Sequence, residues 1–230
     1  MAFPNDYTAI VQGAALGDVA PRGQIGLSGK DRAGFLQGLL TNDIQAVTAG
    51  SGCYAAWLTP QGRLITDLYV LESGEMMLLD VPAALVDSTL QRLDQFLFSE
   101  DVQFADLRGA VRAIWLHGPQ AAAIVGSTLG GQDLTSWPEF RNARAMFDGS
   151  PVVVARIDQL GVPGFCLYVD PVSAGSLENA LVAGGAVRAG RDAIEAARIE
   201  AGTPLFGIDM DEEILPLEAG IEQRAISFTK

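Results

Sequence analysis

Lysine is almost missing from this chain: Lys30 and Lys230 are the only two, and the 13 arginines are scattered along the 230 residues. With a net charge of −13 there is no basic face to neutralise phosphates, which argues against direct nucleic-acid binding. Histidine occurs once, at His117, too few for a histidine-based metal site or a choice of Ser–His–Asp triads, so His117 reads as structural. Two cysteines, Cys53 and Cys166, fall short of a disulfide framework and, each set in an apolar strand-like context, read as free buried thiols of a reducing compartment. No apolar run approaches the ~18 residues of a membrane span. The start Met1-Ala2-Phe3-Pro4-Asn5-Asp6 lacks the basic-then-apolar pattern of a signal peptide. The expected compartment is the cytoplasm. Gly126, Gly130 and Gly131 are not followed by Gly-Lys-Ser/Thr, so no phosphate loop is present.

What the chain does have is a pattern that occurs twice. Gln24–Ser28 reads as a strand and Lys30–Leu40 as a helix with Phe35, Leu36, Leu39 and Leu40 on one face. Strands are expected at Cys53–Leu58, Leu64–Leu71 and Met76–Val81, a helix at Pro82–Phe98 and a strand at Val102–Ala105. The order then recurs: strand Val111–Leu116, helix Pro119–Val125, strands Ala143–Phe147, Val152–Ile157 and Phe165–Val169, and helices Val172–Ala183 and Arg191–Ala201. Asp148-Gly149-Ser150-Pro151 supplies a hairpin turn. Two sheets carrying helices imply an α+β architecture of duplicated small sheet-plus-helix domains. From Gly202 onward glycines and prolines interrupt any long element, and Ala225–Phe228 reads as a closing strand.

Several segments together resemble the folate-binding YgfZ family, relatives of the glycine-cleavage aminomethyltransferase. They are Phe35-Leu36-Gln37-Gly38-Leu39-Leu40-Thr41-Asn42-Asp43-Ile44, Leu58-Thr59-Pro60-Gln61-Gly62-Arg63-Leu64-Ile65-Thr66-Asp67-Leu68, His117-Gly118-Pro119, Arg198-Ile199-Glu200-Ala201-Gly202, and Pro216-Leu217-Glu218-Ala219-Gly220 with the final Ser227-Phe228-Thr229-Lys230. In that family such a lysine opens a Lys-Gly-Cys-Tyr-x-Gly-Gln-Glu motif, so the expectation is a chain ending at the start of the motif, without the family's C-terminal β-barrel. The resemblance implies a first folate-binding domain from residues 1–48 plus 111–230, a second from 49–110, and tetrahydrofolate as cofactor.

The resemblance also implies site residues. Asp67 corresponds to a channel carboxylate and is the candidate catalytic and cofactor-binding group. Arg63 is a candidate for the folate carboxylates, and Trp57, like Tyr54, for stacking on the pterin. Arg191, Arg198 and Glu200 belong to the matching C-terminal helix, with Arg198 and Glu200 expected to pair and brace the loop to Gly220. Against the transferase branch, Gly161–Val169 carries neither the tyrosine nor the pterin-binding glutamate at the matching places, Glu195 stands where the enzymes have arginine, and Thr66 stands where they have a second aspartate. These departures favour a folate-binding accessory protein for iron–sulfur client proteins, and through them tRNA modification, over an active aminomethyltransferase. Asp209, Asp211, Glu212 and Glu213 lack EF-hand spacing, and no metal site is expected.

Overall fold

The computed structural model describes residues 5–230. In chain order the elements are α1 (Asn5–Gln12), β1 (Ala15–Leu16), β2 (Arg22–Ser28), α2 (Arg32–Leu39), β3 (Gly52–Leu58), β4 (Leu64–Glu72), β5 (Met77–Pro82) and α3 (Val86–Phe96). They continue with β6 (Gln103–Asp106), β7 (Arg112–His117), α4 (Ala121–Thr128), β8 (Asn142–Phe147), β9 (Ser150–Arg156), β10 (Gly164–Val169), α5 (Pro171–Ala183), β11 (Val187–Arg188), α6 (Arg191–Glu200) and the short α7 (Glu222–Ala225). A 3-10 turn at Ala83–Leu85 precedes α3.

The chain divides into two compact units. One runs from residue 5 to Val19 and from Gly109 to Thr203; the other comprises Ala20–Arg108 and Pro204–Lys230. This differs from the expected domains of 1–48 plus 111–230 and 49–110. Strand β2 and helix α2 pack with β3–β5, because β2 is hydrogen-bonded along its length to β5, and residues 204–230 return to the same unit.

The unit containing β2–β6 is a five-stranded antiparallel sheet in the order β3-β4-β5-β2-β6. Alternation puts Cys53, Ala55 and Trp57 of β3, Leu68 and Val70 of β4, Leu79 and Val81 of β5, and Ile25 and Leu27 of β2 on one face. Helices α2 and α3 cover that face with Phe35, Leu36, Val86 and Leu93. The residues between them on each strand belong to the opposite face, which is where polar side chains gather.

The other unit is a six-stranded sheet in the order β11-β1-β7-β10-β9-β8. The sequence of elements β7-α4-β8-β9-β10-α5-β11 repeats β2-α2-β3-β4-β5-α3-β6, and the strand order matches except that β1 is inserted between β7 and β11. Leu116, Val154, Phe165 and Leu167 meet Val125 of α4 and Leu177 and Leu181 of α5 on one face. On the other, Ile10 of α1 packs with Ala193, Ile194 and Ala197 of α6. The β8–β9 turn places Asp148 and Gly149 at φ values of 47° and 83°, the positive pair that a two-residue reversal of matching twist demands.

The expected helices and strands are present with small shifts at their ends. Elements α1, β1 and β11 were not expected, and two-residue strands carry no period to read. The closing segment also differs: Glu222–Ala225 is a helical turn, and Ile226 leaves it in extended backbone without joining a sheet as a strand. Among the described residues no helix is long and apolar enough to cross a membrane.

Candidate functional site

The polar face of the β2–β6 sheet carries a buried charged cluster assembled across four strands. Tyr54 sits opposite Tyr69, Ala56 opposite Asp67, Tyr69 opposite Asp80, and Gln24 opposite Asp80. Each strand thus contributes one or two residues from the positions facing away from the apolar core. Asp80 is fully buried; Asp67 and Gln24 are nearly so.

Hydrogen bonding divides this cluster into two halves. Arg22 binds Asp80 through Nε to Oδ1 and through Nη2 to the Asp80 carbonyl at 2.6 Å, while Gln24 Nε2 donates to Asp80 Oδ2 at 3.1 Å. The guanidinium also lies 4.6 Å from the centre of the Tyr69 ring, within cation–π range. Burial opposes the charge on Arg22, but Asp80 and Asp67 more than offset it and hold its pKa above the ordinary arginine value. Asp80 is therefore fully committed to structure.

Asp67 is held differently. Arg22 Nη1 stands 3.6 Å from Asp67 Oδ2, and the Tyr54 hydroxyl donates to the same oxygen at 3.1 Å. Asp67 Oδ1 is buried and accepts no hydrogen bond. Such an atom forgoes the water it would have in the unfolded chain without replacing it, so it is strained toward any incoming donor. Burial first, and the Asp67 charge second, push the Tyr54 hydroxyl well above its ordinary pKa, so at neutral pH it remains an O–H donor. The site thus offers one fixed and one unused carboxylate oxygen beside two aromatic rings whose centroids are 5.3 Å apart.

A clamp holds α7 over this corner. Asn42 Nδ2 donates to the Tyr54 carbonyl at 2.8 Å and to the Arg224 carbonyl at 3.0 Å. The Thr41 hydroxyl accepts from Ala56 N at 2.8 Å and donates to the Ala225 carbonyl at 2.6 Å, and Ser227 N donates to Thr41 O at 3.0 Å. Lys230 Nζ donates to the Gln37 and Leu40 carbonyls at the C-terminal end of α2. The Arg224 guanidinium consequently lies 5.6 Å from the Tyr54 ring centre.

The sequence-derived candidates fall in different places. Asp67 lies in the cluster. Trp57 does not: alternation on β3 turns it into the apolar core, 3% exposed, where its ring meets Phe96 at 6.1 Å. Arg63 is exposed and donates to the Glu213 carbonyl at 2.6 Å, joining the β3–β4 turn to the acidic loop. Within that loop Asp211 accepts from Glu213 N at 2.9 Å, and Glu218 accepts from Leu215 N at 2.9 Å. These carboxylates brace turns, and no group of residues suited to a metal ion exists among the described residues.

Arg191, Arg198 and Glu200 lie in the other unit, on α6. Arg191 is exposed in the first turn. Arg198 is buried and pairs with Glu195 at 2.9 Å and with the Thr203 carbonyl at 3.3 Å, not with Glu200. Helix geometry explains the correction: residues three apart share a face, and residues two apart do not. Glu200 instead accepts a hydrogen bond from the Tyr7 hydroxyl of α1. Both cysteines are buried and free, and burial pushes the Cys53 thiol up to about 12, far from nucleophilic.

Arg22, Gln24 and Asp80 were not among the candidates. The available signal was Asp80 itself, a lone carboxylate in the apolar run Met77–Val81, where an unpaired charge is not tolerated.

The fold defines a class, and comparison with known proteins agrees. The GCVT N-terminal domain family matches residues 2–230, and the chain belongs to that family. It is 33% identical over 216 residues to an aminomethyltransferase of Rubrobacter xylanophilus, covering 94% of this chain and 58% of that protein. The aminomethyltransferase of Bacillus subtilis is 30% identical over 226 residues, with 96% and 62% covered. The chain therefore spans about three-fifths of the length of these relatives. Among solved structures, glycine cleavage system aminomethyltransferase T from Bartonella henselae superposes with a TM-score of 0.83 at 22% identity, covering 95% of this chain and 59% of that one, a likeness of fold. The family is that of the glycine-cleavage T-protein; nothing in these comparisons singles out its YgfZ branch.

Proposed function

We propose that this chain forms a tetrahydrofolate-binding scaffold, and that the protein carrying it acts in folate-dependent one-carbon transfer of the aminomethyltransferase type. The observation that carries the reading is the buried Asp67 carboxylate, anchored through Oδ2 by Tyr54 and Arg22 with Oδ1 left to accept a hydrogen bond. The residues present suit the cofactor: an acceptor oxygen for a ring N–H, beside aromatic surface on Tyr54 and Tyr69. Tetrahydrofolate, when bound, supplies the nitrogen that carries the one-carbon unit. Asp67 would fix its orientation and hold or take up a proton at Oδ1, Tyr54 would keep the carboxylate from rotating, and Arg22 would counter its charge. The names of the relatives support transfer from an aminomethyl donor. A cytoplasmic setting, with free thiols kept reduced, goes with this reading.

Isothermal titration with tetrahydrofolate tests it. The wild-type protein is expected to bind, and Asp67→Asn to bind about 10- to 100-fold more weakly, the worth of one charge-assisted hydrogen bond. Unchanged affinity in Asp67→Asn would remove the site from consideration.

A second reading, favoured by Thr66, keeps the folate and drops the transfer. Thr66 is buried with its hydroxyl turned onto the Asp67 carbonyl at 3.1 Å, so the hairpin presents a single carboxylate there. On this reading the protein is an accessory factor for iron–sulfur client proteins, and through them for tRNA modification. Folate binding without formation of methylene-tetrahydrofolate from an aminomethylated lipoyl carrier would select it.

A further inference from the structure

In the unit that does not contain Asp67, the sheet is notched by a cavity of about 270 Å³ lined from β1, β7, α5 and β11. Strand register creates it. Strand β7 pairs with β10 from Arg112 to His117, but with β1 only at Leu116 and His117. The last bond on the β1 side runs from Gly17 N to the Trp115 carbonyl at 3.2 Å. Beyond it the β1 chain leaves the sheet, and β11 ends where Ala189 N bonds the Leu16 carbonyl at 2.8 Å. Residues two apart on an antiparallel strand turn their backbone groups the same way, so Ala113 presents its N–H and carbonyl to the notch.

Four charged side chains line this notch: Asp18 just after β1, Arg112 opening β7, Glu178 on α5 and Arg188 ending β11. Glu178 spaces the two arginines, with Oε1 3.3 Å from Arg112 Nη2 and Oε2 2.7 Å from Arg188 Nη1. Both guanidinium side chains remain more than half exposed, which leaves N–H donors on each for a ligand. Asp18 stands at the open mouth. Partial burial raises its carboxyl above the ordinary range, the Arg112 charge works against the rise, and Glu178 adds to it. The charge balance decides what fits. A simple anion drawn to the arginines meets Asp18 and Glu178, and a simple cation drawn to Asp18 meets both arginines; like charges so juxtaposed are costly. A dipolar molecule avoids both penalties. Ile114, Trp115 and Ala189 add apolar wall, and the volume falls just short of the roughly 300 Å³ at which sites for drug-sized ligands begin.

We propose that the notch binds a small aliphatic α-amino acid, with its carboxylate on Arg112 and Arg188, its ammonium on Asp18 and its side chain along the apolar wall. The Ala113 N–H and carbonyl supply one further donor and acceptor beside it. The proposal is independent of the folate reading, which concerns the other unit.

Calorimetry on the purified protein tests it with L-valine, with isovalerate, which lacks the amino group, and with isobutylamine, which lacks the carboxylate. L-Valine is expected to bind at least about tenfold more tightly than either, the worth of one charge-assisted contact. Asp18→Asn should weaken L-valine about tenfold and leave isovalerate unchanged or tighter, a split that loss of local structure does not produce. Arg188→Gln should weaken L-valine and isovalerate together. Absence of L-valine binding overturns the proposal, as does isovalerate binding as tightly as L-valine, which would make the notch an anion site. Unchanged L-valine affinity in Asp18→Asn overturns it too. Tetrahydrofolate titrated into the same samples reports on Asp67 separately, so either reading can fail while the other stands.

Discussion

The two units share one order of elements and nearly one strand order, yet only one carries a charged sheet face. On β2, β4 and β5 the positions turned away from the core hold Arg22, Asp67 and Asp80. On the corresponding strands β7, β9 and β10 the buried polar group is His117, which stacks on Trp115 and shares a hydrogen bond with the Gly17 carbonyl at 3.1 Å through Nε2. The lesson is that the fold leaves the second face of its sheet free to vary. The same scaffold can carry a single neutral imidazole there or a cluster of charged side chains.

Breaking the charged face should have the largest effect. Asp80→Ala leaves the Arg22 guanidinium buried without its main partner, and a cost of about 3–5 kcal/mol is expected in chemical denaturation. A loss below about 1 kcal/mol, the range of exposed ion pairs, would mean that the face is not closed to water.

The corresponding probe of the other unit is pH. Burial lowers the His117 pKa from 6.5 to about 4, although the Gly17 hydrogen bond works against the shift. The unfolded chain binds the proton first, so stability should fall as pH drops from about 6.5 to about 4, by about 3 kcal/mol in total. Subtracting the pH profile of His117→Gln isolates this contribution from the carboxylates. Coincident profiles would show that His117 is solvated.

The smallest expected effect sharpens the comparison at its edge. Asn42→Asp replaces an NH₂ group that serves two carbonyls with a carboxylate that repels them, at a cost of about 1–3 kcal/mol. Hydrogen exchange should rise across residues 222–227 and leave the unit containing β7–β10 untouched. Uniform exchange across both units would instead place the effect on global stability.

Much of the fold was legible because its elements are long and periodic. Phe35, Leu36, Leu68, Val70, Leu79 and Val81 announce their buried face by spacing alone. Asp67 was legible as a candidate through the resemblance of the Leu58–Leu68 hairpin to the family, while its strand context alone read as a solvent-facing carboxylate. Trp57 was open in the sequence between pterin stacking and core packing, because a strand shows that alternate residues diverge without saying which face is the core. The expected Ala225–Phe228 strand does not form: Ala225 ends the helical turn α7 and the residues after it join no sheet, because Thr41 and Asn42, far away in sequence, capture the Ala225 and Arg224 carbonyls.

Sequence by itself determined the two-sheet α+β plan, the absence of a basic face and the presence of a carboxylate on the β4 hairpin, since each follows from local period or composition. Only the tertiary structure decided that Arg22, Tyr54, Asp67 and Asp80 form one cluster, because cross-strand register joins residues 13 to 58 positions apart. It alone decided that α7 is held at β3, because Thr41 and Asn42 reach its carbonyls from 184 and 182 positions away.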